Sequence, residues 1–221
     1  MSAKVITIDG PAASGKTTVS RALGATLGWD WVSTGAFYRG LAFVADQERA
    51  NLDDPKELVQ LAKSDIWTIR LDEDLTRVFL HGRDVSEPVY SEEVGQIASK
   101  ISHFPEVREA LLEAQRRCGA ERAGLVAEGR DCGTVVFPTA IAKIYLTARS
   151  EDRAKRRADE QGLDHSETIK QQQIRDEQDS TRKSAPLSIP EGAKVIDTSE
   201  LSLDEVVAEV LSFSRNKLGL I

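Results

Sequence analysis

The sequence predicts an α/β protein, a parallel sheet with helices on both faces. Three observations predict it. Short β-branched runs alternate with helical patterns along most of the chain. The first run, Val5–Ile8, breaks at Asp9-Gly10-Pro11 and passes straight into a helix. One hairpin pattern interrupts the alternation, and 221 residues suit a single domain carrying one insertion.

The elements follow in order. Val5–Ile8 is a short β-branched run, the signal of a buried strand. A helix runs from near Lys16 to Gly28, a natural C-terminal stop. A strand at Trp29–Val32 and a helix from about Thr34 to Glu48 come next. Asp54-Pro55-Lys56-Glu57 reads as an N-cap, a first-turn proline and a capping-box acid. Ile66–Leu71 and Thr76–His81 form the hairpin, turning at 72–75. Helices over 91–102 and 105–118 follow, the second with Val107, Ala110, Leu111, Ala114 and Cys118 along one face. Strands at Gly124–Ala127 and Ala142–Leu146 precede charged helices at 150–161 and 165–182, separated by Gly162. Lys194–Asp197 is the last strand. The last helix opens with the capping box Ser202-Leu203-Asp204-Glu205, and Leu203, Val206, Val207, Val210 and Leu211 form its apolar face.

Charge excludes one broad class of function. There are 29 basic and 36 acidic residues, a net −7, so the surface as a whole is not built to grip a long nucleic acid. A local anion site remains open, and 18 of the 29 basic residues are arginine, the side chain suited to forked phosphate contacts. No stretch reaches the length of a membrane span. Cys118 and Cys132 have neither metal nor disulfide-framework spacing. A soluble, cytoplasmic protein with no membrane and no nucleic-acid partner is expected.

Gly10-Pro11-Ala12-Ala13-Ser14-Gly15-Lys16-Thr17 fits G-x-x-x-x-G-K-[ST] without a gap, between a strand and a helix. Consecutive backbone N–H groups of such a loop point at phosphate oxygens, and the helix start adds its positive end. Lys16 is expected on the β/γ-phosphates of ATP and Thr17 on Mg²⁺. The loop identifies a nucleoside triphosphate, not its acceptor. A guanine-reading Asn-Lys-x-Asp is missing, since Asn216-Lys217-Leu218-Gly219 lacks the acid. A motor's long apolar strand ending in Asp is missing too, with Glu128 the nearest carboxylate. A small kinase is favoured over a switch or motor.

Arginines recur where strands meet helices: Arg39 in 34–39, Arg130 in 128–134 and Arg182 at the end of 175–182. In a parallel sheet the first two share the carboxyl edge with the phosphate loop, and two such side chains can clamp one phosphate monoester. Arg149, Arg153, Arg156 and Arg157 form a second group on one broad helix face, where they can steady the charge of a moving phosphoryl group.

Together these pieces resemble a known family. ITIDGPAASGKTT, STGAFYRGLA, ASKISHFPEVREALL, EGRDCGTVVFP, AKIYLTARSEDRAKRR and RDEQDSTRKSAPL resemble the bacterial cytidylate kinases over essentially the whole chain. The resemblance implies a P-loop kinase three-layer fold with a five-stranded parallel core, an inserted monophosphate-binding subdomain at about 65–95 and a helical lid at about 149–165 followed by a helix to 182. The core would comprise 1–64, 96–148 and 183–221. The implied reaction moves the γ-phosphoryl group of ATP to CMP or dCMP, with ATP and Mg²⁺ as cofactors and small nucleotides as the only partners of a monomer. Gly10 to Thr18, Thr18 included, would hold ATP, and Glu128 would reach Mg²⁺ through water. Thr34, Arg39, Arg130 and Arg182 would hold the acceptor phosphate or its surroundings, and Tyr38 would also bind the substrate. Ser99, Arg108 and Asp131 would read cytosine, and Arg175 and Asp179 would face the ribose. Lys16, Arg130, Asp131, Arg153 and Arg157 would carry catalysis, the last two from the lid. Asp131 accepting from the cytosine amino group would disfavour uracil, which has a carbonyl there. Other small-acceptor kinases and a non-catalytic nucleotide switch are the alternatives.

Overall fold

The structure is a computed structural model and describes residues 4–120, 122–161, 165–182 and 184–220. Gly162, expected between two helices, lies outside the described residues, as does the side chain of Arg175.

Strand β1 (Lys4–Asp9) lies at the centre of a five-stranded parallel sheet. It pairs with β6 (Gly124–Gly129) on one side and β7 (Ala142–Thr147) on the other. β2 (Asp30–Ser33) and β8 (Lys194–Asp197) form the edges, giving the order β2-β6-β1-β7-β8. The chain therefore reverses direction of winding at β1, and the crevice beyond that strand's carboxyl end is where such sheets bind ligands.

The period-two alternation of strands sends side chains to opposite faces. Ile6 and Ile8 join Trp31, Val126, Ile144, Leu146 and Ile196 against α1 (Lys16–Leu27) and α9 (Leu203–Leu218). Val32, Leu125 and Ala127 face the other way, toward α2 (Gly35–Gln47), α3 (Pro55–Ala62), α5 (Glu92–Ile101) and α6 (Pro105–Arg117). Ile6, Ile8, Leu23, Leu41, Leu111 and Ile144 are fully buried, each contributing roughly 1.5–3 kcal/mol. Three layers result, as expected.

The inserted sheet is larger than the hairpin pattern suggested. β3 (Trp67–Leu71) and β4 (Thr76–Leu80) pair antiparallel as expected. A third strand, β5 (Arg83–Asp84), adds to β4 and leads into a single turn, α4 (Ser86–Val89). The two residues between β4 and β5 are His81 and Gly82, both at positive φ (49° and 76°), the backbone of a tight primed turn. A glycine second in a two-residue link was the readable signal.

Two local expectations fail for physical reasons. Asp54 caps α3, accepting from Lys56 N at 2.9 Å, but Glu57 does not complete a capping box. The Asp54 amide is already bound to the Asn51 carbonyl at 3.0 Å, and Glu57 accepts from Asn51 N instead. Leu203 is exposed, because it is the first residue of α9 and precedes the buried stripe Val206, Val210 and Ser214. The Ser202–Glu205 capping box itself forms in full.

Beyond β6 the chain makes a five-residue π-helical turn, Cys132–Val136, then β7. Helices α7 (Ser150–Gln161) and α8 (His165–Thr181) pack on each other and reach back over the sheet's carboxyl edge.

Candidate active site

The loop between β1 and α1 has Ala13 at φ 56° and Gly15 at φ 86°. These left-handed steps turn successive amides inward, and Gly15 adopts its angle without the Cβ penalty. Lys16 opens α1 and is buried. Its Nζ donates to the Pro11 carbonyl at 2.6 Å and lies 3.5 Å from Ser14 Oγ. Burial, reinforced by the Arg130 charge, pulls its pKa down to about 7. Thr17 Oγ1 donates to Glu128 Oε1 at 3.1 Å. A hydroxyl and a carboxylate in contact at the helix start are the hard oxygen donors that Mg²⁺ takes.

One cavity of about 520 Å³ joins this loop to a second set of polar groups. At its far end Arg108 of α6 forms an ion pair with Asp131, and both are nearly buried. The Arg108 guanidinium lies 5.3 Å from the centre of the Tyr38 ring and donates to Ser102 O at 3.3 Å. A ring beneath the guanidinium and a carbonyl beside it fix its plane. Midway, Arg130 donates to Asp179 Oδ2 at 2.6 Å and to Gly10 O at 3.2 Å, tying α8 to the phosphate loop. Arg182 donates through Nε to Asp179 O, while its buried Nη2 finds no hydrogen-bond partner among the described residues. Arg39 donates to the carbonyls of Val89 and Ser91.

Over the loop, α7 contributes Arg153 and Arg157. Arg153 donates to Ala12 O at 3.3 Å and makes a forked pair with Asp176 at 3.1 and 2.6 Å. Arg157 pairs with Glu92 of α5 at 2.5 Å. The phosphate loop thus opens into one cavity lined by Arg39, Arg108, Arg130, Arg157 and Arg182.

The cytidylate kinase family profile matches residues 6–216. The chain is 60% identical to the cytidylate kinase of Bdellovibrio bacteriovorus over 214 residues, covering 97% of this chain and 99% of that one. The chain belongs to the cytidylate kinase family. It is also 44% identical to the cytidylate kinase of Colwellia psychrerythraea, with 98% of each chain covered. Membership makes it a nucleoside monophosphate kinase. Among solved structures, a gluconokinase from Sinorhizobium meliloti is similar in fold, with a TM-score of 0.53 at 16% identity over 98% of this chain and 94% of that one.

Most residues expected from the family resemblance meet in this one cavity. Lys16, Thr17, Thr18, Thr34, Tyr38, Arg39, Ser99, Arg108, Arg130, Asp131, Arg157, Asp179 and Arg182 all border it. Two of them have inward obligations. Thr34 Oγ1 donates to the Glu128 carbonyl at 3.0 Å, and Ser99 Oγ donates to Gln178 Oε1 at 3.1 Å. The four-arginine face of α7 is split. Arg153 and Arg157, one turn apart, point inward, whereas Arg149 pairs with Asp152 and Glu200, and Arg156 donates to Thr198. A helix advances 100° per residue, so Arg156 falls off the face its neighbours share. Cys132 is buried as expected, and burial raises its thiol well above the ordinary range.

The residues that sequence reasoning missed are mostly partners: Glu92, Asp176, Gln178, Ser102 and Asp9. Asp176 and Gln178 stood inside a motif already singled out, and only the fold shows which arginine each meets.

The Lys16 environment has a measurable consequence. Near pH 7.5 a Lys16 with a pKa of about 7 is mostly neutral, and incoming phosphates raise that value by favouring the ammonium. Binding ATP is therefore accompanied by proton uptake, and the uptake fades as pH falls below about 6, where Lys16 is already charged. Calorimetry in buffers of different ionisation enthalpy reads it, and Lys16→Met abolishes most of it.

Proposed function

We propose that this cavity runs the family's reaction, passing the γ-phosphoryl group of ATP to CMP or dCMP and giving ADP and CDP or dCDP. The observation that carries the reading is the Asp131–Arg108 pair, closing a chamber whose other end is the phosphate loop. Cytosine has an amino donor beside ring acceptors, and a carboxylate beside a guanidinium is its complement.

The loop amides and Lys16 hold the donor phosphates. The acceptor phosphate oxygen is already anionic, so no strong general base is required, and positioning with charge neutralisation carries the rate. Arg39, Arg130 and Arg182 hold the acceptor phosphate, the Nη2 of Arg182 having among the described residues only an ion-pair contact of 3.5 Å to Asp179 Oδ1. Arg153 and Arg157 exchange Asp176 and Glu92 for the oxygens of the transferring group. Asp131, Arg108 and Ser99 read the base over Tyr38. Asp179 orients Arg130 and Arg182, and through them the acceptor, while Arg175 and Asp179 face the ribose. Thr17, with Glu128 through water, would hold Mg²⁺, which would supply charge to screen the triphosphate oxygens. Among the described residues no group of three or more His, Cys, Asp or Glu could hold a metal ion.

In this reading residues about 65–95 form the monophosphate-binding insertion and about 149–165, with the helix to 182, the lid that excludes water. Among the described residues no helix is long and apolar enough to cross a membrane.

A panel of nucleoside monophosphates in a coupled ADP-release assay tests the function. CMP and dCMP are expected to be turned over, and UMP to be disfavoured by roughly tenfold to a hundredfold for one lost base contact. ATP hydrolysis indifferent to any acceptor would overturn the reading in favour of a nucleotide switch.

A further inference from the structure

Asp9 is the last residue of β1 and is fully buried. Nothing in the reaction just described uses it. Its two carboxylate oxygens accept from separate backbone amides, Oδ1 from Cys132 N and Oδ2 from Gly133 N, both at 2.7 Å. Those amides follow directly on Asp131, the N-cap of the π-helical turn, whose carbonyl accepts from Val135 and Val136. The residue after Asp9 is Gly10, where the phosphate loop begins and whose carbonyl accepts from Arg130. One carboxylate thus stands between the strand that launches the donor loop and the turn that presents the base-reading acid.

The packing leaves this fork little freedom. A Cβ added at Gly133 would lie 3.0 Å from Asp9 Oδ2 and 2.8 Å from Thr7 Oγ1. The bare glycine is what lets its amide approach the carboxylate so closely. The carboxyl offers one acceptor oxygen to each amide, and these two bonds oppose the burial that pushes its pKa up to about 7, whereas an amide side chain would turn an NH₂ toward one of them.

We propose that Asp9 is a positioning residue for base selection, holding the turn at 132–133 so that Asp131 meets Arg108 in the geometry that favours cytosine over uracil. The inference deepens the proposed cytidylate kinase reading and rests on it. Asp9 touches neither substrate, and it acts through the loop it clamps.

The test is Asp9→Asn, an isosteric change, compared with Gly133→Ala, which keeps the Asp9 charge and crowds the fork from the other side. The expected result for each is a KM for CMP raised roughly tenfold or more and a CMP-over-UMP preference lowered by a similar factor. The KM for ATP should stay within about twofold, and the doubly substituted protein should lose little more than either single variant. Melting followed by circular dichroism is read alongside. A well-folded Asp9→Asn protein with wild-type CMP-over-UMP preference overturns the proposal. So does an equal loss toward CMP, UMP and ATP accompanied by a lowered Tm, which is the mark of a structural role only. If Asp9→Asn fails to fold, the selectivity of Gly133→Ala decides between the same outcomes. A wild-type protein inactive on CMP would instead remove the underlying functional reading, so the two failures are distinguishable.

Discussion

Lys16→Ala is expected to lower kcat for CMP phosphorylation about a thousandfold, the upper range for removing one preorganised donor from developing charge. The protein should remain folded. Lys16 makes its contacts within its own loop, to Pro11 O and Ser14 Oγ, and contributes nothing to either apolar cluster. Removing the side chain also removes a buried polar amine, so the Tm should change little. The KM for CMP should change far less than kcat, because the acceptor chamber is built from other segments. Steady-state kinetics beside a melting curve checks all three, and a variant with more than a tenth of wild-type kcat would remove Lys16 from the transferring phosphates.

Asp131→Ala carries the second large effect, and it is double. Arg108 would be left nearly buried without its carboxylate, and stranding one member of such a pair costs about 3–5 kcal/mol. For a chain of this size that corresponds to a Tm lower by roughly 10 °C. The CMP-over-UMP preference should fall by about tenfold or more as the acceptor for the cytosine amino group is lost. Asp131→Asn separates the two consequences. It keeps the shape and offers a carbonyl to Arg108, while its amide can also turn its NH₂ toward a uracil carbonyl. Selectivity should therefore relax in Asn with a smaller loss of Tm. Unchanged selectivity in both variants would end the base-reading role of Asp131.

How much was legible beforehand divides along a physical line. The parallel core follows from patterns that every residue of a strand or helix repeats: the run Val5–Ile8, the Gly28 stop, the Ser202 capping box. The donor site was legible because a phosphate loop is local, with all its groups on consecutive residues. The proposed acceptor site draws on five separated segments, and only family resemblance could bring Arg108 together with Asp131, while the Arg130–Asp179 contact was legible from neither pattern nor resemblance. The strand Arg83–Asp84 was missed because two residues carry no periodicity. Asp9 was missed because it reads as the end of a strand, and its role depends on amides more than 120 positions away in the chain. The split arginine face of α7 shows the opposite error, in which counting charges along a helix overlooks where the sheet edge lies.

The paired state of the site's arginines has a consequence for what the enzyme ignores. Arg153, Arg157 and Arg130 each hold a carboxylate already, on Asp176, Glu92 and Asp179. On the proposed reading, a phosphate that engages these three arginines has to displace their carboxylate partners. Free orthophosphate, abundant in every cell, has no base to set against that cost, and neither does a sugar phosphate. A nucleotide does, because its ring is recognised elsewhere in the chamber. On the proposed reading, internal counterions thus act as a threshold, and orthophosphate alone is expected to fall below it.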